Sequence, residues 1–242
     1  MDEKTKNRIR EALTKGSLVF LGGAGVSVAS GIPDFRSPQG LYSKKRADGR
    51  SYEDLLSHEY FFEDPKGFYE FYWESMVNPS AKPNRAHLAL AEYEKRGHRI
   101  AVVTQNIDGL HQAAGSKEVY EIHGSTERYH CLKCHTFYER KDLKGVGVPV
   151  CPKCGGLIKP DVVLYGEGLP DDAVYGALDR IQHANVMIVG GTSLRVYPFA
   201  SFPHYFRGSL SVLINNEPTP MDEEFDIVLR EDIGAALEEI LL

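Results

Sequence analysis

Long apolar runs are missing from this 242-residue chain, and no segment approaches the roughly 18 uninterrupted apolar residues of a membrane span. The charged opening MDEKTKNRIREALTKG has no apolar stretch of the kind a secretory leader needs, so a cytoplasmic protein is expected. Positive charge is in deficit: 28 Lys and Arg stand against 34 Asp and Glu, a formal net charge of −6. That balance argues against a nucleic-acid surface and makes a cationic peptide the more natural guest. Cysteine is scarce, with four residues, and none stands alone. There is neither an internal repeat nor a low-complexity tract.

What is present is an ordinary core-forming composition, 42 % hydrophobic, enough for one substantial core or a core with a small satellite. Short β-rich runs at 17–22, 99–104, 119–122, 162–165, 185–190 and 211–215 alternate with helical spacing at 5–15, 65–76, 85–96, 171–183 and 233–242. The alternation predicts an α/β fold built on a Rossmann-like, doubly wound parallel sheet. Two stretches interrupt it, an aromatic and charged one and a cysteine-bearing one, and they predict a smaller domain of zinc-ribbon and helical character. The expected division assigns about 1–41, 84–125 and 160–242 to the large domain and about 42–83 and 126–159 to the small one, all within one catalytic unit.

In open parallel sheets ligands bind beyond the carboxyl ends of the strands, where loops diverge and helix N-termini point outward. Five expected strand ends are polar or glycine-rich: Gly23-Ala24-Gly25-Val26-Ser27, Thr104-Gln105-Asn106-Ile107-Asp108, His123-Gly124, Gly190-Gly191-Thr192-Ser193 and Asn215-Asn216-Glu217. Each alone has a plain structural explanation as a tight turn, a helix cap or a hydrogen-bonded histidine. Their convergence predicts a dinucleotide, with a pyrophosphate near Ala24 and Gly25 and a ribose within reach of Thr192, Ser193 and Asn215. Hydride transfer fits poorly. Val28 replaces the third glycine of G-x-G-x-x-G, and no acidic residue lies at the expected distance to take a ribose hydroxyl.

Cys131-x-x-Cys134 is followed, after sixteen intervening residues, by Cys151-x-x-Cys154, the spacing of a two-knuckle zinc ribbon. Two disulfides are the alternative, disfavoured in a reducing compartment. Four thiolates close a tetrahedron and leave no position for water, so one structural zinc is expected rather than a catalytic one.

With these residues assembled, the chain resembles the sirtuin family of NAD-dependent protein lysine deacylases, of bacterial or archaeal type. The resemblance covers nearly the whole chain through GAGVSVASGIPDFR (23–36), AKPNRAH (81–87), TQNIDGLH (104–111), HGS (123–125), the two CxxC pairs, VVLYGEGLP (162–170) and GTSLRVYP (191–198). It implies that NAD and an acetylated protein or peptide meet in a cleft between the two domains, with neither nucleic acid nor membrane as partner; oligomeric state stays open, a monomer being compatible. It implies cofactor contacts from Gly23, Ala24, Gly25, Val28, Phe35, Arg36, Gln105, Gly191, Thr192, Ser193, Asn215 and Asp232. Asn106, Ile107 and Asp108 would line the nicotinamide pocket, with Asn106 and Asp108 sharing the catalytic role of His123, the general base. Val163, Gly166, Glu167 and Val196 would hold the acyl-lysine and its backbone as an added β-strand.

The implied reaction starts with attack of the acetyl amide oxygen on C1′ of the nicotinamide ribose. Nicotinamide leaves, and a ribose hydroxyl activated by His123 attacks the resulting alkylimidate. Water then yields lysine and O-acetyl-ADP-ribose. Phe35 would shield the cationic sugar from stray water. Acidic acyl groups are not expected, because Phe71-Tyr72-Trp73-Glu74-Ser75 offers a tyrosine without the arginine that would hold a carboxylate. Three positions depart from the usual pattern: Tyr165, Glu231 before Asp232, and Arg195 near the peptide groove. A mono-ADP-ribosyltransferase and a non-catalytic NAD-sensing module remain as alternatives.

Overall fold

The computed structural model describes residues 1–34 and 49–242. Nine strands and eight α-helices are used below, numbered along the described chain. Four of the strands, β1 (Leu18–Gly22), β2 (Ile100–Thr104), β7 (Val186–Gly190) and β8 (Leu210–Ile214), are apolar and buried throughout. Continuous apolar runs of this kind suit parallel strands covered on both faces. With the shorter β3 (Val119–Glu121) and β9 (Ile227–Leu229) they form one six-stranded parallel sheet in the order β3-β2-β1-β7-β8-β9. Strand order reverses between β1 and β7, whose ends are in register at Gly22 and Gly190. A doubly wound sheet opens its ligand crevice at such a reversal.

Alternation along β1 sends Leu18 and Phe20 to one face and Val19 and Leu21 to the other. The first face is covered by α1 (Glu3–Leu13), α5 (Arg85–Lys95) and α8 (Ile233–Leu241), through Ile9, Leu90 and Leu237 among others. The second is covered by α7 (Asp171–His183) and the 3-10 turn Phe199–Tyr205, through Ile181, Phe199 and Phe202. Caps fix where these helices start: the side chains of Asp2, Asn84 and Asp232 accept from Thr5 N, Ala86 N and Ala235 N.

The smaller domain has its own core. The antiparallel sheet of β4 (Gly124–Cys131), β5 (Phe137–Glu139) and β6 (Ile158–Val162), in the order β5-β4-β6, packs against α2 (Tyr52–Leu55), α3 (His58–Glu63) and α4 (Pro65–Ser75). Phe61, Phe68, Tyr69, Tyr72 and Tyr129 fill the space between, and the hydroxyls of Tyr72 and Tyr129 pair at 3.2 Å. The remaining short helix, α6 (Leu110–Ala114), follows the loop after β2. Among the described residues no helix is long and apolar enough to cross a membrane.

One expected strand is corrected. Residues 162–165 do not join the parallel sheet: Val162 ends β6 opposite Gly124, and Tyr165 forms an isolated bridge to Ser57. The sixth parallel strand is β9, whose three residues are too short to register as a pattern. An apolar run such as VVLY does not reveal which sheet it joins.

Candidate active site

Loops leaving β1, β2, β3 and β7 meet the small domain around a cavity of 370 Å³. It is lined by Ala24, Ser27, Gln105, Asn106, Ile107, Asp108 and His123 from the large domain's loops and by Val163, Leu164, Tyr165, Gly166, Glu167 and Val196.

The glycine turn is packed tightly against the loop after β7. Gly25 N donates to Gly191 O at 2.8 Å and Gly23 N to Gly190 O at 3.2 Å. A Cβ on Gly25 would lie 2.8 Å from Gly191 Cα, and one on Gly23 would lie 2.7 Å from Thr192 Cβ. Only glycine permits that approach. Because the Gly25 N–H is already spent on Gly191, and those of Val26 and Ser27 close turns onto Gly23 and Ala24, Ala24 holds the turn's remaining backbone donor. Thr192 Oγ1 donates to Gln105 Oε1 at 3.3 Å, while Gln105 Nε2 is buried with no partner among the described residues. An orphaned amide donor of this kind, beside a polar cavity, suits an oxygen-rich ligand.

At the nicotinamide end predicted by the resemblance, Ser27 Oγ links two loops. It donates to Asp108 Oδ2 at 2.6 Å and accepts from Asn106 Nδ2 at 2.9 Å. The other oxygen of Asp108 accepts from Leu110 N at 2.9 Å, starting α6. Ile107 O accepts both the backbone N–H and the hydroxyl of Thr126, at 2.8 and 2.9 Å, which ties this loop to β4.

His123 stands half-buried between β3 and β4. Its Nδ1 lies 3.1 Å from Gln105 O, an acceptor only, so Nδ1 carries the proton and Nε2 is the basic nitrogen. Burial holds its pKa below the ordinary 6.5, against a smaller upward pull from the Gln105 carbonyl. Behind it, Gly124 has φ +76, and a Cβ there would come within 1.8 Å of Asp161 O. Val163 N donates to His123 O at 3.0 Å, so the segment expected to hold substrate is stitched directly to the base.

Glu167 is occupied by the protein itself: its carboxylate accepts from Leu164 N at 2.9 Å and Lys159 Nζ at 3.0 Å, and lies 3.0 Å from His58 Nδ1. It shapes the mouth. Tyr165 is 45 % exposed, so the hydroxyl that departs from the usual phenylalanine is not forced into the core. Val28 is exposed, Asn215 Nδ2 donates to Glu217 O at 2.7 Å, and Asp232 is engaged as the cap of α8. None of these three lines the cavity. Phe35 and Arg36 lie outside the described residues.

Ser27 and Asn84 were legible only as letters within motifs, yet both organise the site. Asn84 Nδ2 reaches Val26 O at 2.7 Å and Ser30 Oγ at 2.9 Å while its other amide atom caps α5. Beneath them His87 and His111 are buried with ring centroids 4.6 Å apart.

The four cysteines converge as their spacing predicts, with sulfurs within 4.8 Å of one another and individual separations of 3.4 Å for Cys131 to Cys154 and 3.6 Å for Cys134 to Cys151. Tetrahedral Zn²⁺ with bonds of about 2.3 Å places its sulfur ligands about 3.8 Å apart, so the tetrad fits one ion. The Sγ separations are far beyond a disulfide bond of about 2.05 Å, and all four cysteines are free.

A Rossmann-like sheet with its strand ends turned toward a zinc-ribbon domain defines a two-domain α/β protein with an interdomain cleft. The chain belongs to the Sir2 family, whose model matches residues 23–198. It is 50 % identical over 244 residues, covering 100 % of both chains, to a Clostridium perfringens protein named NAD-dependent protein deacetylase. A Staphylococcus epidermidis protein of the same name is 44 % identical, over 93 % of this chain and 91 % of its own. Among solved structures, a Sir2–p53 peptide–NAD⁺ complex superposes with TM-score 0.85 at 37 % identity, covering 99 % of this chain and 97 % of that one. A Sir2 variant with deacetylated p53 peptide and 3′-O-acetyl-ADP-ribose gives 0.85 at 38 % identity, over 97 % and 96 %.

Proposed function

We propose that this protein is an NAD-dependent protein lysine deacetylase, acting on acetylated proteins or peptides and releasing nicotinamide, lysine and O-acetyl-ADP-ribose. The observation that carries it is His123, with Nδ1 fixed on Gln105 O and Nε2 left basic in a cavity it shares with Asn106 and Asp108. NAD supplies the electrophilic C1′ and the ribose hydroxyls. The protein supplies position and proton handling: Ala24 through the turn's remaining N–H, Gln105, Thr192 and Ser193 hold the dinucleotide, Gly23, Gly25 and Gly191 allow its close approach, and Val28, Asn215 and Asp232 stand at its outer reach. Phe35 and Arg36, outside the described residues, keep the role the resemblance implies, beside the nicotinamide ribose. Asn106, Ile107 and Asp108 hold the nicotinamide end through the Ser27 linkage. His123 takes the proton of a ribose hydroxyl at Nε2, and its lowered pKa keeps it neutral near pH 7.

Val163, Gly166 and Val196 receive the acyl-lysine backbone, while Glu167 braces the turn that presents them. The charged side chains lining the cavity are Asp108, Glu127 and Glu167, with no Lys or Arg among the described residues. Neutral acyl groups such as acetyl suit that lining, and a succinyl carboxylate is repelled. Tyr72, fully buried against Tyr129, does not reach it. Cys131, Cys134, Cys151 and Cys154 hold one zinc that stabilises the small domain and takes no part in chemistry. The domain division follows the one expected above except at its seams, where β4 and β6 carry Gly124, Ser125 and residues 160–162 into the small domain's sheet, and the compartment is the cytoplasm, where free thiolates persist.

The test is nicotinamide release from NAD with and without an acetyl-lysine peptide, alongside His123→Ala. Peptide-dependent release with O-acetyl-ADP-ribose, lost in the variant, supports the reading. Release without peptide, with ADP-ribose appearing on protein, points to a transferase instead, and absence of turnover to a sensing module.

A further inference from the structure

Two segments with exposed residues line the cavity, Tyr165-Gly166-Glu167 and Val196-Tyr197-Pro198, and form its solvent-facing mouth. Its charges are not balanced. Glu167, a carboxylate lining the cavity, is matched by Lys159 at 3.0 Å, with His58 Nδ1 also 3.0 Å away. Arg195, next to Val196, is exposed and makes no hydrogen bond or ion pair among the described residues. The backbone holds it there: Leu194 adopts φ 51 and is buried in the core beneath α7, with its N–H on Thr192 Oγ1 at 3.3 Å. Positive φ is uncommon for leucine and persists where surrounding contacts over-determine it. With Leu194 anchored inward, Arg195 is exposed immediately before Val196, which lines the cavity.

Two exposed tyrosines complete the mouth, Tyr197 at 75 % and Tyr165 at 45 % exposure. Tyrosine and arginine together are the residues most enriched at the centres of recognition surfaces. A guanidinium is weakly hydrated and offers a planar fork that matches a carboxylate. An extended peptide advances about 3.3 Å per residue, so an arginine side chain sweeps one or two residues to either side of the position it faces.

Resting on the deacetylase reading, we infer that Arg195 is a specificity-determining residue, favouring acetyl-lysine segments that carry an aspartate or glutamate one or two residues from the modified lysine. The acidic net charge of the protein does not oppose this, because charges farther than about 10 Å are largely screened at 0.1 M salt while the guanidinium is in contact.

The experiment compares kcat/KM, at saturating NAD, for acetyl-lysine peptides that differ in Asp against Lys at each of the two positions on either side. Wild type, Arg195→Gln and Arg195→Glu are assayed at low and high ionic strength. The Asp peptide at one of these positions is expected to be favoured roughly two- to fivefold by wild type, the worth of an exposed ion pair. That ratio shrinks with salt, falls toward one in Arg195→Gln and inverts in Arg195→Glu, with the change in KM rather than kcat. The melting temperature stays unchanged, because Arg195 makes no contact that holds the fold. Peptide-dependent deacetylation with the same charge ratio in all three proteins, or a wild-type preference for Lys, overturns the inference and leaves the deacetylase reading standing. No turnover of any peptide by wild type removes that reading, and the inference falls with it.

Discussion

Ser27 Oγ and Asp108 Oδ2 lie 2.6 Å apart although 81 residues separate them in the chain. The bond joins the loop after β1 to the loop after β2, and Asn106 Nδ2 donates to the same Ser27 oxygen at 2.9 Å. Ser27 is 1 % exposed, so no bulk water replaces it. A hydrogen bond to a charged group contributes about 1.5–3 kcal/mol, equivalent to roughly a 10- to 150-fold change in rate or affinity. Ser27→Ala is expected to lower kcat/KM for nicotinamide release by that range while circular dichroism stays native. An unchanged kcat/KM refutes a role for the linkage in holding the nicotinamide end.

As the proposed general base, His123 should set the acid limb of the pH profile. A base works only when neutral, and burial lowers this imidazole below 6.5. Activity is therefore lost as pH falls through a midpoint below 6.5 and is flat above it with respect to this group. His123→Ala is expected to lose about 10²- to 10⁴-fold in deacetylation, the usual worth of a positioned general base. NAD binding, measured by calorimetry, should survive. An acid limb with a midpoint at or above pH 7 in kcat/KM contradicts the assignment.

The zinc lobe makes a separate commitment. Its cysteine tetrad anchors β4 and the turn before β6, and β6 runs on to Val162 and Val163 at the cavity. Structural zinc contributes about 10–16 kcal/mol to folding in isolated zinc-finger peptides. Elemental analysis should find one zinc per chain. Chelation at elevated temperature, or Cys131→Ser, should unfold the small domain and abolish turnover while much of the helical signal of the large domain persists. Full activity in protein stripped of metal would exclude a structural ion.

How much of this was legible in the sequence follows from where each signal resides. The continuous apolar runs of β1, β2, β7 and β8 and the spacing of α7 carried their own positions, and two CxxC pairs sixteen residues apart announced their convergence. The strand expected at 162–165 joined no parallel sheet, because periodicity records burial and not partnership; Tyr165 pairs with Ser57, far away in sequence. Glu167 read as a substrate contact because it lies in the right motif, and only the fold shows Lys159 and His58 already facing it. Likewise Gly25 reads as a phosphate-binding glycine, yet its N–H is bonded to Gly191 O, a contact set by the packing of two loops 166 residues apart. Local chemistry is written locally. Which group meets which is a property of the assembled sheet.

The buried pair His87 and His111 makes a prediction about stability instead of turnover. Burial lowers the pKa of His87 to about 4, opposed in part by the Asp108 carboxylate, and that of His111 to about 3, with the charge of His87 adding to the effect. Besides each other and the Asp108 carboxylate, the groups beside them include the Asn84 backbone N–H, 3.3 Å from His87 Nδ1, and the Phe20 ring, whose centroid is 6.1 Å from that of His111. In the unfolded chain both imidazoles titrate near 6.5. Between about pH 6.5 and 4 the unfolded state therefore binds more protons than the folded one, and stability rises with pH across that window. Read in the other direction, stability falls as pH drops below about 6.5, and above it these groups impose no slope. His123, also lowered, adds to the same trend. Thermal or urea denaturation from pH 8 to 4.5 should show a plateau followed by a decline. His111→Leu removes one of the protons taken up on unfolding together with a buried imidazole whose two nitrogens lack partners among the described residues. The variant should lose about one proton from the slope between pH 6 and 4.5, worth about 1.4 kcal/mol per pH unit. A variant whose stability declines with the same slope as wild type would show that His111 is charged, or solvated, in the folded protein.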